Sequence, residues 1–257
     1  MEAKRACVCQ ALTGLAFLAL MSFGMQAQAS AFTVAPVRVT LSAKQTVAAV
    51  TVTNTGTEAT VVQLETMQWS QDQGQEVLDP SSSVLATPPI FTIPPGKSQI
   101  VRIGLRRTPD TTRELTYRLI LREVPPESHS NGLRVALKIS MPVFITPTGA
   151  NAAPTVQYRA QRLPDGNIRL LAFNTGNAHV QFGQFEVVQA ANGTPVATQP
   201  TADYLLPNKH RAWVLNTKSA PAVGTLLRVS SKTDAGEVQS DVALENDGAI
   251  GAPTAAR

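Results

Sequence analysis

The sequence predicts an all-β protein with two sandwich domains. Apolar side chains recur at every second position in many short segments, which is the period of an extended strand with one buried face. Eighteen prolines and sixteen glycines, with 5% aromatic residues, favour short strands joined by many turns. No long stretch has the 3.6-residue period of an amphipathic helix. At about 100 to 200 residues per domain, the 257 residues allow two domains.

Residues 1–29 are expected to be a signal peptide. Lys4 and Arg5 precede an apolar run, and small residues follow it, so cleavage is expected after residue 29 or after residue 31. An uncleaved anchor is the alternative, because the run is close to the roughly 20 residues that span a bilayer. Cys7 and Cys9 both lie in this segment, so the exported fold would have no disulfide.

The segment after the signal peptide is predicted to form a first domain over residues 32–147. About seven strands with regularly spaced turns are typical of an immunoglobulin-like sandwich. The first strand, FTVAPVRVTL, carries Arg38 near its middle, and a later strand offers Trp69 as a core residue. In SQIVRI, residues 100, 101 and 103 are core candidates. LTYRLILREVPP ends at two prolines that cannot donate to a sheet, and the short loop 127–132 predicts a hairpin to the next strand.

That next strand, predicted over Leu133–Ile145, is the most regular segment of the chain. In LRVALKISMPVFI every second residue is large and apolar. The segment is about twice as long as a typical strand of 5 to 6 residues. Two interpretations follow: the strand closes its own sandwich, or its surplus apolar ridge pairs with the sheet of another chain.

A second all-β domain is predicted over residues 148–247. The segment TPTGA at 146–150 breaks the alternating pattern and marks a boundary between domains. PDGN at 164–167 predicts a hairpin turn, and FGQFEVVQA, HRAWVLN, TLLRVSSK and EVQSDVALE predict strands. Residues 248–257 are expected to be a frayed tail.

Residues suited to catalysis or metal binding are scattered. Each of the three histidines lacks a partner at metal-ligand spacing and is interpreted as a solvated loop residue: His129, His179 and His210. The acidic residues of segment 72–79 lack the pattern of a calcium loop. No nucleophile or phosphate-binding motif is present. The sequence therefore predicts no enzyme, no cofactor and no metal, and 20 basic against 17 acidic residues after residue 29 argue against a nucleic-acid partner.

Arg38 and Lys138 are the charged residues that suit a binding role. Each interrupts an apolar strand, and the ordinary interpretation is an edge charge that faces water. The alternative is that both residues meet in a cleft between the domains. There they would bind an anionic group such as the carboxylate at the end of a chain.

Several segments resemble the periplasmic chaperones of pilus assembly by the chaperone–usher route. They are PVRVTL near the start, TPPIFTIPPGKSQIVRI, YRLILREVPP, the alternating strand followed by FITP, and FNTGNAHV and LLPNKHRAW in the second domain. The resemblance covers nearly the whole mature chain. It implies two immunoglobulin-like domains set at an angle, and a location in the periplasm. It also implies that the long strand lends its ridge to a pilin subunit whose own sandwich lacks a strand.

The resemblance also implies roles for individual residues. Arg38 would anchor the C-terminal carboxylate of the subunit. The family's partner lysine falls on Pro142, so Lys138, four residues earlier, is the candidate substitute. The residues that would fill the groove of the subunit are Leu133, Val135, Leu137, Ile139 and Met141.

The predicted function is that of an assembly chaperone that completes pilin subunits and delivers them to an outer-membrane usher. The chain is also expected to form a self-capping dimer and not to insert stably into a membrane. The alternative is a secreted immunoglobulin-like adhesin or a structural subunit of the pilus. A carbohydrate-binding or hydrolytic domain would need clustered aromatic residues or paired carboxylates.

Overall fold

The computed structural model describes residues 32–125, 135–217 and 221–248, and all regular elements in these ranges are strands. The predicted signal peptide, the loop 127–132 with His129, Leu133 and the tail from residue 249 lie outside the described residues. In the described ranges, no helix is long and apolar enough to cross a membrane.

The first domain is a sandwich of two sheets. One sheet has the strand order β1-β3-β8-β6, and the other has the order β2-β10-β9-β4-β5 with β7 beside β4. The strands are β1 (Phe32–Ala35), β2 (Val39–Leu41), β3 (Val47–Asn54), β4 (Thr60–Asp72), β5 (Gln75–Pro80), β6 (Val84–Thr87), β7 (Ile90–Ile93), β8 (Ser98–Leu105), β9 (Leu115–Val124) and β10 (Lys138–Ile145).

Alternating side chains of the two sheets form the core of this domain. Leu119 and Leu121 of β9 are fully buried, as are Val101 and Ile103 of β8. Each such side chain contributes about 1.5 to 3 kcal/mol by leaving water. The prediction that Ile100 is a core residue is wrong: it is 55% exposed, because its position in β8 puts it on the outer face of the sheet.

The predicted first strand is wrong in one respect, because FTVAPVRVTL forms two strands in different sheets. β1 pairs with β3, whereas β2 runs parallel to β10, with Val39 opposite Val143. Pro36 follows the end of β1, and a proline has no N–H to extend a ladder. Arg38 therefore lies in the short link between the two sheets and not in the middle of a strand.

The last strand of the first domain is shorter than predicted. β10 begins at Lys138, and the described residues before it, 135–137, are not in a strand. β10 pairs antiparallel with β9, which confirms the predicted hairpin pairing. Met141 lies opposite Leu119 and is 1% exposed. Placing Met141 in an exposed ridge was therefore wrong, because at this position the inner face of β10 already packs against its own core.

The second domain is also a sandwich of strands. Its strand order is β14-β13-β17-β18-β11-β12-β16, with β15 beside β13. Its strands are β11 (Val156–Arg162), β12 (Ile168–Asn174), β13 (Val180–Gln189), β14 (Pro195–Pro200), β15 (Tyr204–Leu205), β16 (Lys209–Leu215), β17 (Leu226–Thr233) and β18 (Gly236–Asn246).

Aromatic packing marks the core of the second domain. The rings of Phe182, Phe185 and Trp213 contact one another with centroids 4.7 to 5.3 Å apart. The hairpin predicted at 164–167 joins β11 to β12, and Gly166 there has φ +87°, a conformation that favours glycine. The interval between β10 and β11 contains the predicted boundary at residues 147 and 148.

Candidate functional site

The two domains meet through an apolar cluster that lies outside both cores. Trp69 of β4 and Phe144 of β10 contact Leu206 of the second domain, and Tyr204 packs against them. The rings of Trp69 and Tyr204 meet edge-on with centroids 5.4 Å apart. Trp69 is buried, as expected, but in this interface and not between the sheets of its own sandwich.

Polar groups fix the relative position of the domains. Gln71 is 1% exposed, and its side chain donates to the carbonyl of Tyr204 at 2.8 Å and accepts the N–H of Leu206 at 3.0 Å. The N–H of Glu114 donates to the carbonyl of Asn177 at 2.9 Å. Losing such a bond leaves a buried polar group unpaired at a cost of about 1 to 3 kcal/mol. The interface is therefore specific in its geometry.

His179 lies between two carboxylates at this interface. Its Nδ1 is 2.8 Å from Oε1 of Glu114, and its Nε2 is 3.5 Å from Oδ2 of Asp234. The imidazole stacks on Phe144 with centroids 3.5 Å apart. Burial lowers the pKa of His179, but the hydrogen bonds and charges of Asp234 and Glu114 outweigh burial and raise the pKa above its usual value.

Two of the expectations for histidines are therefore corrected. The side chain of His179 is 13% exposed, so it is not a solvated loop residue. His210 lies in β16 and stacks on Phe173 at 5.7 Å. Residue spacing along the chain could not reveal either contact, because the partners are distant in the sequence.

Arg38 reaches across the cleft to the second domain. Its Nη1 is 2.5 Å from Oδ2 of Asp234, and the other oxygen of Asp234 accepts the N–H of Gln181 at 2.8 Å. Burial raises the pKa of Asp234, but hydrogen bonds from His179, Gln181 and Arg38 outweigh burial and lower that pKa to about 2. The side chain of Arg38 is still 42% exposed, so solvent reaches the guanidinium.

Arg118 is a second cation on this face that sequence reasoning missed. It lies opposite Pro142 in the pairing of β9 with β10. Its guanidinium stacks 3.7 Å from the ring centroid of Trp69, and Nη2 is 2.9 Å from Oε1 of Glu76. Its Nε is buried without a hydrogen-bond partner. The sequence could have indicated this orientation of Arg118. Side chains alternate along a strand, so Arg118 must face outward if its neighbour Leu119 points inward.

Arg38 and Arg118 both affect the pKa of the Tyr204 hydroxyl. Burial is the largest influence on Tyr204 and raises the pKa of its hydroxyl, and the charges of Arg38 and Arg118 oppose that rise. Arg118 is 5.5 Å from the ring centroid of Tyr204. The charges of both arginines therefore reach one aromatic side chain in the cleft.

Lys138 is not part of this cluster. It lies at the start of β10, opposite Arg122, and is exposed. Four residues of strand separate it from Pro142, which is about 13 Å at roughly 3.3 Å per residue. The structure thus corrects the choice of Lys138 as the substitute cation, because the strand carries it away from Arg38, whereas Arg118 lies beside Pro142.

One edge of β10 is open over most of its length. β2 pairs with this edge at residues 143–145, and no described strand pairs with it at 138–142. Val135 is 73% exposed, and Leu137 and Ile139 are half-buried. An unpaired edge with apolar side chains beside it is a template for a strand from another chain.

The described residues offer no group of three or more His, Cys, Asp or Glu side chains placed to hold a metal ion.

A match to a family model covers the first domain. Residues 31–151 match the family described as pili and flagellar-assembly chaperone, PapD N-terminal domain. The chaperone protein PapD of Escherichia coli is 31% identical over 99 residues, which are 36% of this chain and 40% of that protein. The aligned region therefore spans about two fifths of the length of this relative.

Solved structures resemble both domains together. The complex of CsuC and CsuE, a chaperone and tip adhesion subunit of archaic chaperone–usher pili of Acinetobacter baumannii, matches with TM-score 0.61 and 18% identity over 82% of this chain and 98% of that chain. The E. coli chaperone DraB matches with TM-score 0.56 and 18% identity, and the match covers 85% of this chain and 98% of that chain. The complex of the SafA pilin with the SafB chaperone of Salmonella enterica matches with TM-score 0.56 and 18% identity, and the match covers 83% of this chain and 96% of that chain. These similarities confirm the predicted fold of two immunoglobulin-like sandwich domains.

Proposed function

We propose, from the match of residues 31–151 to the pilus-assembly chaperones with a PapD N-terminal domain, that this chain captures pilin subunits in the periplasm. The matched family consists of assembly chaperones and not of enzymes, as the sequence predicted. The complexes found among the similar structures pair a chaperone with a pilin or an adhesion subunit. A client subunit of that class is the partner that suits this chain.

The observation that carries the proposal is that Arg38, Pro142 and Arg118 lie side by side, at the same position along the direction of β10. Val39 lies opposite Val143, so the preceding residue, Arg38, is level with Pro142, and Pro142 lies opposite Arg118. The open edge of β10 ends at this level, where β2 begins. A client strand that runs parallel to β10 along this edge would bring its C-terminus to Arg38.

The chemistry at that level suits a terminal carboxylate. Arg38 offers a guanidinium that is 42% exposed, and Arg118 adds a second positive charge 5.5 Å from the ring centroid of Tyr204. Guanidinium groups bind carboxylates through two parallel hydrogen bonds. We assign the anchor to Arg38 with Arg118, and no longer to Arg38 with Lys138.

The apolar residues before and in β10 would make a second contribution to the binding energy. Val135, Leu137 and Ile139 would enter the groove of the client, and Leu133 belongs to the same proposed set although it lies outside the described residues. Fully burying an exposed side chain such as Val135 is worth about 1.5 to 3 kcal/mol before the costs of association, and Leu137 and Ile139 would add less because they already pack partly against the core of their own domain. Backbone hydrogen bonds along the open edge would add to this.

Delivery of the captured subunit to an outer-membrane usher completes the proposed function. It requires export, which the predicted signal peptide would provide. The alternative of an adhesin or structural subunit is less well supported, because the first domain closes its second sheet with its own β10. A subunit that needs a donated strand would lack such a closing strand.

The test is co-expression with candidate pilin subunits, that is, small secreted β-rich proteins sought among the neighbouring genes. We expect a soluble complex with one copy of each chain, and aggregation or degradation of the client when this chain is omitted. A client that is equally soluble in the absence of this chain, or that never co-purifies with it, would refute the proposal.

A further inference from the structure

We propose that anion capture at Arg38 and protonation of His179 favour one another, with Asp234 as the carboxylate that both residues share. The inference rests on the proposed function, because the anion at Arg38 would be the client's terminal carboxylate. It adds a positioning role for His179 and Asp234 in client capture, and it makes capture depend on pH.

The geometry of Asp234 provides the coupling. A single oxygen, Oδ2, lies 2.5 Å from Nη1 of Arg38 and 3.5 Å from Nε2 of His179. Its other oxygen accepts the N–H of Gln181. Arg38 belongs to the first domain, whereas His179 and Asp234 belong to the second. The two cationic groups therefore compete for one oxygen atom across the cleft, and Arg38 is the closer of them.

The other groups that face the imidazole fix the direction of the effect. Glu114, which precedes β9, is 2.8 Å from Nδ1 and favours the charged ring. Phe144 covers one face of the imidazole, and Tyr204 lies 5.8 Å away. The positive charge of Arg38, which shares Oδ2 of Asp234 with the imidazole, opposes protonation, whereas Arg118 lies beside Tyr204, 5.5 Å from its ring centroid. Arg38 is thus the cation through which an arriving anion can act on His179.

Binding of a carboxylate to Arg38 neutralises the charge that opposes the imidazolium. It also weakens the hold of Arg38 on Oδ2 of Asp234, which leaves that oxygen to His179. Both changes favour protonation, so capture takes up a proton. Because coupling between two binding events is reciprocal, a protonated His179 strengthens capture by the same factor, for which about fivefold or more is the expected size.

The first experiment measures this coupling without any client. The titration of the His179 ring is followed by NMR in the mature chain, with His129→Gln and His210→Gln used for assignment. Arg38→Gln is expected to move the midpoint to higher pH, and Asp234→Asn to lower pH. Lys138→Gln, a matched loss of one charge away from the cluster, should leave the midpoint in place. An unchanged midpoint in Arg38→Gln would overturn the inference, whatever the chain captures.

The second experiment measures client capture at pH 6 and at pH 8.5, with the co-expressed pilin as the probe. The wild type should dissociate about fivefold or more faster at the higher pH. His179→Arg should bind tightly at both values and His179→Gln weakly at both, because each substitution fixes the charge. If client capture still depends on pH in both variants, the inferred link between client capture and protonation of His179 is wrong. Failure of every form to bind the pilin would refute the proposed function, while the NMR titration would still decide the coupling.

Discussion

Arg38 in the first domain and Asp234 in the second form an ion pair of 2.5 Å across the interdomain cleft, although 196 positions separate them in the sequence. The pair places the proposed client anchor at the contact between the domains. It also connects that anchor to His179 and, through His179, to Glu114.

Arg38→Ala should weaken client capture while leaving the fold nearly as stable. Its side chain is 42% exposed, and ion pairs at such positions contribute about 0 to 1 kcal/mol. Capture is measured by co-purification of the pilin, and stability by the melting temperature. Lys138→Ala is the control and should retain capture. A large fall in melting temperature would instead make Arg38 a structural residue.

Arg118→Met should also weaken capture, because it removes the second positive charge of the anchor. Met preserves much of the apolar contact with Trp69, and the partner carboxylate of Glu76 is 44% exposed, so no buried charge is left unpaired. The matched control is Arg122→Met in the same strand, whose side chain is 53% exposed. Equal capture by both variants would remove Arg118 from the anchor.

Val135→Arg should abolish capture and leave the chain soluble. Val135 is 73% exposed in the free protein, so the substitution buries no charge until a client covers the position. Ile100→Arg provides the control, since Ile100 is 55% exposed on the other sheet and should tolerate the change with capture intact. The measurement is co-purification, with gel filtration to verify a monomer. Normal capture by Val135→Arg would count against the proposed groove-filling ridge.

Met141→Ala should destabilise the first domain by about 2 to 5 kcal/mol, because it removes a fully buried side chain and leaves a cavity. Val135→Ala should change stability by about 0.5 kcal/mol or less, as expected at an exposed position. Urea unfolding of both variants gives the comparison. Similar losses in the two variants would contradict the burial pattern along this segment.

The stability of the interface should depend on pH at both ends of the range. The raised pKa of His179 means that its contribution is fully present below its unfolded pKa and is lost as pH rises through the folded pKa. Asp234 has a pKa lowered from 3.8 to about 2, so its contribution is lost as pH falls through that interval. Chemical denaturation across pH should show both losses. His179→Gln should remove the upper loss. Asp234→Asn should remove the lower loss and also reduce the upper one, because Asp234 helps to raise the pKa of His179.

Local patterns predicted the strands well and their partners less well. The alternation around Val101 and Ile103 correctly indicated buried positions, because side chains of a strand alternate between faces whatever the rest of the chain does. Ile100 was assigned to the core although its neighbour Val101 occupies it. Alternation states that two neighbours face opposite ways, but not which of them faces the core.

The candidate site was predicted in part. Arg38 was chosen for its charge within an apolar strand, and it does reach the cleft. Lys138 was chosen by its place in the sequence, whereas Arg118 comes to the level of Pro142 by pairing between strands. Such pairing depends on register, which one strand cannot define alone.

The sequence by itself determined the all-β class, the positions of most strands and turns, and the choice of Arg38, because each of these depends on neighbouring residues. The tertiary structure decided which charges meet. It brought His179 within reach of Glu114, 65 positions away, and set Arg38 against Asp234. Those contacts come from packing one sandwich against the other, and no repeating pattern along the chain encodes that geometry.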